Sequence, residues 1–332
     1  MQEINSSSYP GPYFSTRDHL DGFKSNIIHD APFRLFCMAL IDEGNLLVYG
    51  GESSTIYIWD LKAGRCKNKI AAHDGNIESL AFDAISSTLI STSDDGSIKT
   101  WDVDHGRLIH HVERAHGKGI FTFTLDSRNR MLFTGGLDGW IKAWNVDDLV
   151  LENEAFLGSK NGVLSTCMTM EDDHDHNLFA GSVKGKIFRW NMNTGSINRF
   201  ADSGAGPIFS LKHLANPNIL LSGNAKGKID MWDLDCGEKV SIVQTGQSKV
   251  MDILLLRGFS KILGETAKSF VATAGGDGTI KTWRYTSKRH RLELIHSFKG
   301  HTKTVEMLLQ HPFQDMIFSI SSDKSLKSWA LE

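Results

Sequence analysis

The sequence predicts an all-β propeller of seven four-stranded blades, and three observations carry that reading. Seven tryptophans, Trp59, Trp101, Trp144, Trp190, Trp232, Trp283 and Trp329, recur at intervals of 42, 43, 46, 42, 51 and 46 residues. Between them, short stretches alternate apolar and polar residues with the period of two that marks a half-buried strand. Turns carrying Gly and Asp separate those stretches. A repeat in the low forties of residues, built of several short strands, is the size of one propeller blade. Seven such units closed in a ring make the 332 residues one domain, against the two that length alone suggests.

The first 15 residues, MQEINSSSYPGPYFS, are polar and rich in Ser, Pro and Gly. They read as a flexible tail without the apolar core of a signal peptide, and residues 16–332 are assigned to the propeller. The segment DGFKSNII before His29 sits where an outer strand precedes the His of each later unit. The last unit stops three residues after Trp329. Residues 20–28 are therefore expected to supply its outer strand and close the ring, which removes free edges that would pair with other chains.

The second unit shows the pattern, AHDGNIESLAFDAISSTLISTSDDGSIKTWD over residues 72–102. IESLAF, TLIST and SIKTW alternate as strands; DAISS and DDGS are the turns, and RLIHHVERA supplies the fourth strand. His73, His116 and His301 each lie 28 residues before a repeat Trp. Asp95, Asp138, Asp277 and Asp323 lie six before one, and Ser91, Thr134, Thr273 and Ser319 four before each Asp. Buried in a thin wedge, these polar groups are costly unless paired. They are expected to form a His–Ser/Thr–Asp–Trp hydrogen-bond network with Trp101, Trp144, Trp283 and Trp329. Units one, four and five carry Ser53, Lys184 and Lys226 at the Asp position and are expected to be held less tightly.

These residues resemble the WD-repeat family over residues 29–332: Ala72-His73, Ala115-His116 and Gly300-His301, the Asp-Gly turns, and Trp59-Asp60, Trp101-Asp102 and Trp232-Asp233. The resemblance implies a propeller used as an interaction platform, usually without catalysis. A Ser–His–Asp hydrolase reading loses to the network, because the set recurs around the ring and no GxSxG elbow is present.

Charge is near balance, at −3, which argues against a general nucleic-acid binder. Cys37, Cys66, Cys167 and Cys236 have no CxxC spacing and read as reduced thiols of a cytoplasmic or nuclear protein. No apolar run approaches the roughly 20 residues of a membrane helix. EDDHDHN (171–177) is read as a solvated turn in preference to a metal site, and GETAKS in the longer sixth unit lacks phosphate-loop spacing. That unit's extra residues, 256–269, are expected on the face opposite the His and Asp turns. No catalytic residue, metal or cofactor is assigned.

The face bearing the His and Asp turns is expected to divide by charge. Units one and two carry Asp30, Glu52, Asp74 and Asp94. Units three to seven carry Lys118, Lys160, Lys184, Lys186, Lys226, Lys228, Lys249, Lys303 and Lys324, opposed there by Asp202 alone. Trp140 follows a turn glycine where other units have Ser97, Lys186, Lys228, Thr279 or Ser325, and is expected as an outward indole on the rim. The sequence thus predicts a non-catalytic, monomeric scaffold that binds an acidic or phosphorylated protein segment through Trp140, Lys118, Lys184, Lys186, Lys226 and Lys228 within a multi-subunit assembly. The second reading is an RNA-binding propeller in a ribonucleoprotein, with Trp140 stacking on bases.

Overall fold

The computed structural model describes residues 25–171, 175–258, 269–287 and 290–331. The expected tail, and most of the 256–269 segment, lie outside the described residues. Those described contain seven four-stranded antiparallel sheets. Six are local in sequence, at residues 35–71, 77–112, 120–156, 163–202, 208–244 and 250–299. The seventh joins Val305–Gln310, Met316–Ser321 and Ser325–Ala330 to Ser25–Asp30 from the other end of the chain. Its register pairs Ser25 with Trp329 and Asp30 with Ser325. The expected closing strand is therefore present, and its C-terminal end lies two residues beyond the expected boundary. His29 and Asp30 are inside it because pairing runs on to the Ala31 N–H on the Lys324 carbonyl.

In every blade the first strand is innermost and the fourth outermost. The links between blades and the turns between second and third strands lie at one end of the ring; this is the His/Asp-turn face. Turn geometry is strict there. Gly96 has φ +84, and a Cβ on it would stand 2.7 Å from the His116 carbonyl oxygen of the following link. Among the described residues no helix is long and apolar enough to cross a membrane.

The apolar core is not one mass but seven layers, one per junction between blades. Trp101 is buried with Val48, Ile56 and Ile58 of blade one; Trp144 with Ile90 and Ile98 of blade two; Trp190 with Phe133 and Ile141 of blade three. Trp232, Trp283 and Trp329 repeat the arrangement against blades four, five and six. Trp59 fills the last junction, against Phe318, Ile320 and Leu326 of blade seven. Each repeat tryptophan is thus the spacer between its own blade and the one before. Removing such a side chain costs about 3–5 kcal/mol, which is why the position keeps Trp through the ring.

A polar belt runs inside these layers, invisible in the alternation pattern. The third residue of each inner strand reaches the next blade. Cys37 Sγ donates to the Ile77 carbonyl at 3.4 Å, Ser79 Oγ to Phe121 at 3.3 Å, and Ser165 Oγ to Ile208 at 3.1 Å. Thr122 meets Thr166 at 3.2 Å. Ser210 Oγ donates to Asp252 Oδ1 at 3.1 Å, and Asp252 Oδ2 accepts the Leu308 N–H of blade seven at 3.0 Å. The Met38 N–H on Met307 Sδ at 3.4 Å completes the circuit.

Asp252 ties three blades at once. Burial pushes its carboxyl up, while Lys212 and the donors on it pull the other way. Asp252→Ala strands the Leu308 N–H and the Ser210 hydroxyl, each a loss of about 1–3 kcal/mol. Chemical denaturation should show a larger loss for it than for Ser79→Ala, which removes one bond to a carbonyl. Equal losses would mean the bridge is not a special tie.

Candidate interaction face

Three blades build the expected network in full. In blade two the Trp101 indole N–H donates to Ser91 Oγ at 2.9 Å, which stands 2.7 Å from His73 Nε2. His73 Nδ1 lies 2.7 Å from Ser97 Oγ and 3.4 Å from Asp95. In blade three Trp144 reaches Thr134 at 2.9 Å, Thr134 reaches His116 Nε2 at 2.9 Å, and His116 Nδ1 lies 3.1 Å from Asp138. In blade seven Trp329, Ser319, His301 and Asp323 follow at 2.7, 2.7 and 3.0 Å. The assignment that leaves no proton unpaired runs Trp N–H to hydroxyl, hydroxyl to Nε2, and Nδ1–H to carboxylate in blades three and seven or to Ser97 Oγ in blade two. Each Asp also accepts the backbone N–H after its His, as Asp138 does from Gly117 at 2.8 Å, so the network clamps the link onto the turn.

The other blades depart from it. In blade six Trp283 donates to Thr273 at 3.0 Å, but Thr273 then donates to Gln247 Oε1 at 2.9 Å. Asp277, expected in the network, is exposed and caps only its own turn through Thr279. Gln247 escaped the sequence reading because the insertion moves it to 36 residues before Trp283; the Gly246-Gln247 pair in place of Gly-His was the available signal. Blade five keeps Trp232 to Ser222 at 2.9 Å. There Asn224 replaces the turn Asp by accepting the Lys226 and Lys228 N–H groups. In blades one and four the hydroxyl position holds Tyr49 and Ala180, and the buried Trp59 and Trp190 Nε1 atoms have no partner. His29 lies in the closing strand with its ring 4.5 Å from Trp59.

The expected rim is more enclosed than its turn register suggests. The position after the turn glycine faces the histidine, so Ser97 and Ser325 are only 4% and 5% exposed. Trp140, in that position, is half-buried and packs at 4.7 Å on Phe156, its cross-strand partner in the outer strand Leu151–Phe156. It is not an outward indole; Phe156, at 49% exposure, is the apolar group that faces solvent. Lys186 and Lys228 begin the third strands of the next two blades and are half-buried, with Lys186 opposite Asp202. Lys118, Lys160, Lys184, Lys226, Lys249, Lys303 and Lys324 are exposed. Lys226 Nζ lies 3.4 Å from the Gly204 carbonyl and Lys324 Nζ 3.0 Å from that of Pro32.

The acidic sector is also partly spent. Arg34, missed in the charge count, forks onto Glu52 at 2.6 and 2.9 Å, and Asp94 accepts the Asn76 N–H at 2.7 Å. Glu171 pairs with Asp175 in the hairpin that the 171–177 run was expected to turn, while residues 172–174 lie outside the described residues. Among the described residues no group of three or more His, Cys, Asp or Glu could hold a metal ion.

Alternation also hid a bulge. In all seven inner strands the register slips between the first and third residues. The bulged residues are Phe36, Glu78, Phe121, Leu164, Phe209, Met251 and Glu306, all half-buried. Burial, Asp94 and Glu306 push the Glu78 carboxyl up to about 7. Burial raises Glu306 too, against a 2.5 Å hydrogen bond from Ser322.

Residues 64–102, 106–145 and 292–330 match the family model described as WD domain, G-beta repeat. Among curated relatives, Protein tipD of Dictyostelium discoideum is 31% identical over 84 residues, 25% of this chain and 14% of its own length. The THO complex subunit 6 homolog of Danio rerio is 29% identical over 76 residues, 23% of this chain and 24% of its own. The chain thus spans less than a quarter of these relatives. The crystal structure of RRP9 WD40 repeats superposes with a TM-score of 0.78 at 14% identity, covering 93% of this chain and 97% of that one; it shows a shared fold.

Burial holds His73 down to about 4, from an ordinary value near 6.5. The unfolded chain takes up a proton between those values that the folded one refuses, so stability is lost as pH falls across that window. Asp95 adds in the same direction: burial raises it, but bonds from Ser97 and Asp74 hold it below the ordinary range, and that contribution is lost in acid. His73→Gln, the exchange blade six already makes with Gln247, should fold and unfold with a flatter acid limb between about pH 6.5 and 4. An unchanged limb in urea titrations across that range would contradict the assignment.

Proposed function

We propose that this chain, a WD-repeat β-propeller, is a non-catalytic scaffold that binds an acidic or phosphorylated protein segment on its His/Asp-turn face. WD-repeat propellers serve generally as interaction scaffolds, and the name of one relative places it in a multi-subunit complex. The observation that carries the finer reading is the sector of exposed lysines on successive blades: Lys118, Lys160, Lys184, Lys226, Lys249 and Lys303. Such a sector raises the encounter rate with an anionic partner and selects it by charge. Phe156, braced by Trp140, offers an exposed apolar contact at the end of the outer strand of blade three. The proposal transfers the anchor from Trp140 itself to this pair, with Lys186 and Lys228 as partly buried flanks.

Catalysis does not fit the same residues. The ring nitrogens of His73, His116 and His301 are engaged inside the blades, so these three are not free to act as bases. The four cysteines form no disulfide, which accords with a reducing cytoplasmic or nuclear setting. RNA is the less favoured ligand, because two carboxylates stand at the inner edge of the face and the chain is net acidic.

The test is the protein's natural partner, captured with wild type and then titrated. Lys118→Glu, Lys184→Glu and Lys226→Glu together should weaken binding roughly tenfold at low salt, each exposed pair contributing up to about 1 kcal/mol. The difference should shrink as salt rises. Partner binding indifferent to the triple reversal would move the interface off this face; a steep salt slope with RNA in the captured complex would favour the nucleic-acid reading.

A further inference from the structure

The repeated bulge sets apart one residue per blade. A bulge re-aims a side chain and is a placed feature rather than a defect. Here it recurs at the same step of every innermost strand, just inside the His/Asp-turn face, as the Ser322 contact to Glu306 and the Arg34 guanidinium 5.8 Å from the Phe36 ring place it. The seven residues make a ring at the mouth of the central channel. Five are apolar, two are glutamates flanking Phe36 on neighbouring blades, and none is basic. Arg34 and Lys249 offset the Glu306 charge in part, Arg34 while donating from Nε and Nη2 to Glu52, whereas Glu78 meets the like charges of Asp94 and Glu306.

Resting on the interaction face argued above, we propose that this mouth takes one cationic side chain, Arg or Lys, of the docked protein segment. Its alkyl stem would lie on Phe121, Phe209 and Met251 and its charge between Glu78 and Glu306. Charge complementarity selects this occupant. Two half-buried carboxylates on either side of Phe36 are costly when ionised, and a guest cation offsets both the desolvation and the repulsion. The elevated Glu78 carboxyl agrees with burial beside the like charges of Asp94 and Glu306. The apolar wall suits the stem of a long cationic residue. The partner segment would then be polar in sequence, with one cation at the mouth and its acidic or phosphorylated stretch over the lysines of blades three to seven.

An array of randomised seven-residue peptides, with phosphoserine among the building blocks, tests this on the full chain. Wild type should select peptides with Arg or Lys at one fixed position. Glu78→Gln with Glu306→Gln, which keeps shape and removes repulsion, should bind the best of them about tenfold more weakly. Citrulline for Arg, or norleucine for Lys, should cost the same with wild-type protein, independently of folding. The Lys118→Glu, Lys184→Glu, Lys226→Glu variant should instead lose only the preference for acidic or phosphorylated positions. Selected peptides without a fixed cation, or binding indifferent to the double Gln variant, would overturn the mouth assignment while lysine dependence kept the scaffold reading. A cation preference without lysine dependence would do the reverse, and selection of nothing would sink both.

Discussion

Everything on the His/Asp-turn face depends on seven junctions closing into one ring. A blade alone exposes an apolar surface on each side and cannot hold it in water. Each junction buries one repeat tryptophan against the preceding blade, so the indoles set both spacing and pitch. Trp59 is the critical member, since the surface it needs belongs to the last blade. That blade is completed by Ser25–Asp30, which also brings the partly buried Ile28 to the junction. Without closure the bulged residues would not converge and the lysines would not share a face.

Hydrogen bonding then decides how firmly each blade is held. Blades two, three and seven have the Trp–hydroxyl–His–Asp chain, blade six a glutamine version, and blades one and four an indole N–H with no partner. An unpaired buried donor costs about 1–3 kcal/mol, so those two blades rely on packing: Trp59 on the His29 ring, Trp190 on Phe133. The belt from Cys37 to Met307 runs through all seven and is indifferent to these differences.

What could be read in the sequence was what recurs at a constant offset. Trp, His73, His116, His301 and the turn aspartates keep fixed spacings, so fold, closure and network followed from counting. Gln247 did not, because an insertion shifted its offset. Asp277 was assigned to the network by spacing, yet with Gln247 in place of histidine its carboxylate has no ring N–H to accept. Trp140 was expected to face outward because its burial depends on Phe156 in the next strand and on a position that turns toward the histidine. The bulges were hidden for a different reason: an extra residue in a strand leaves alternation on either side intact.

The face that results is divided, with exposed lysines across blades three to seven and a mouth edged by two carboxylates beside Phe36. Its form rests on the ring being closed by the N-terminal strand. The direct measurement is thermal unfolding, followed by tryptophan fluorescence, of the chain with and without residues 1–30. Closure predicts a markedly lower midpoint for the shortened chain, concentration-dependent association through the bared Ser325–Ala330 edge, and recovery when a peptide of residues 20–30 is added. An unchanged midpoint with monomeric behaviour would contradict it.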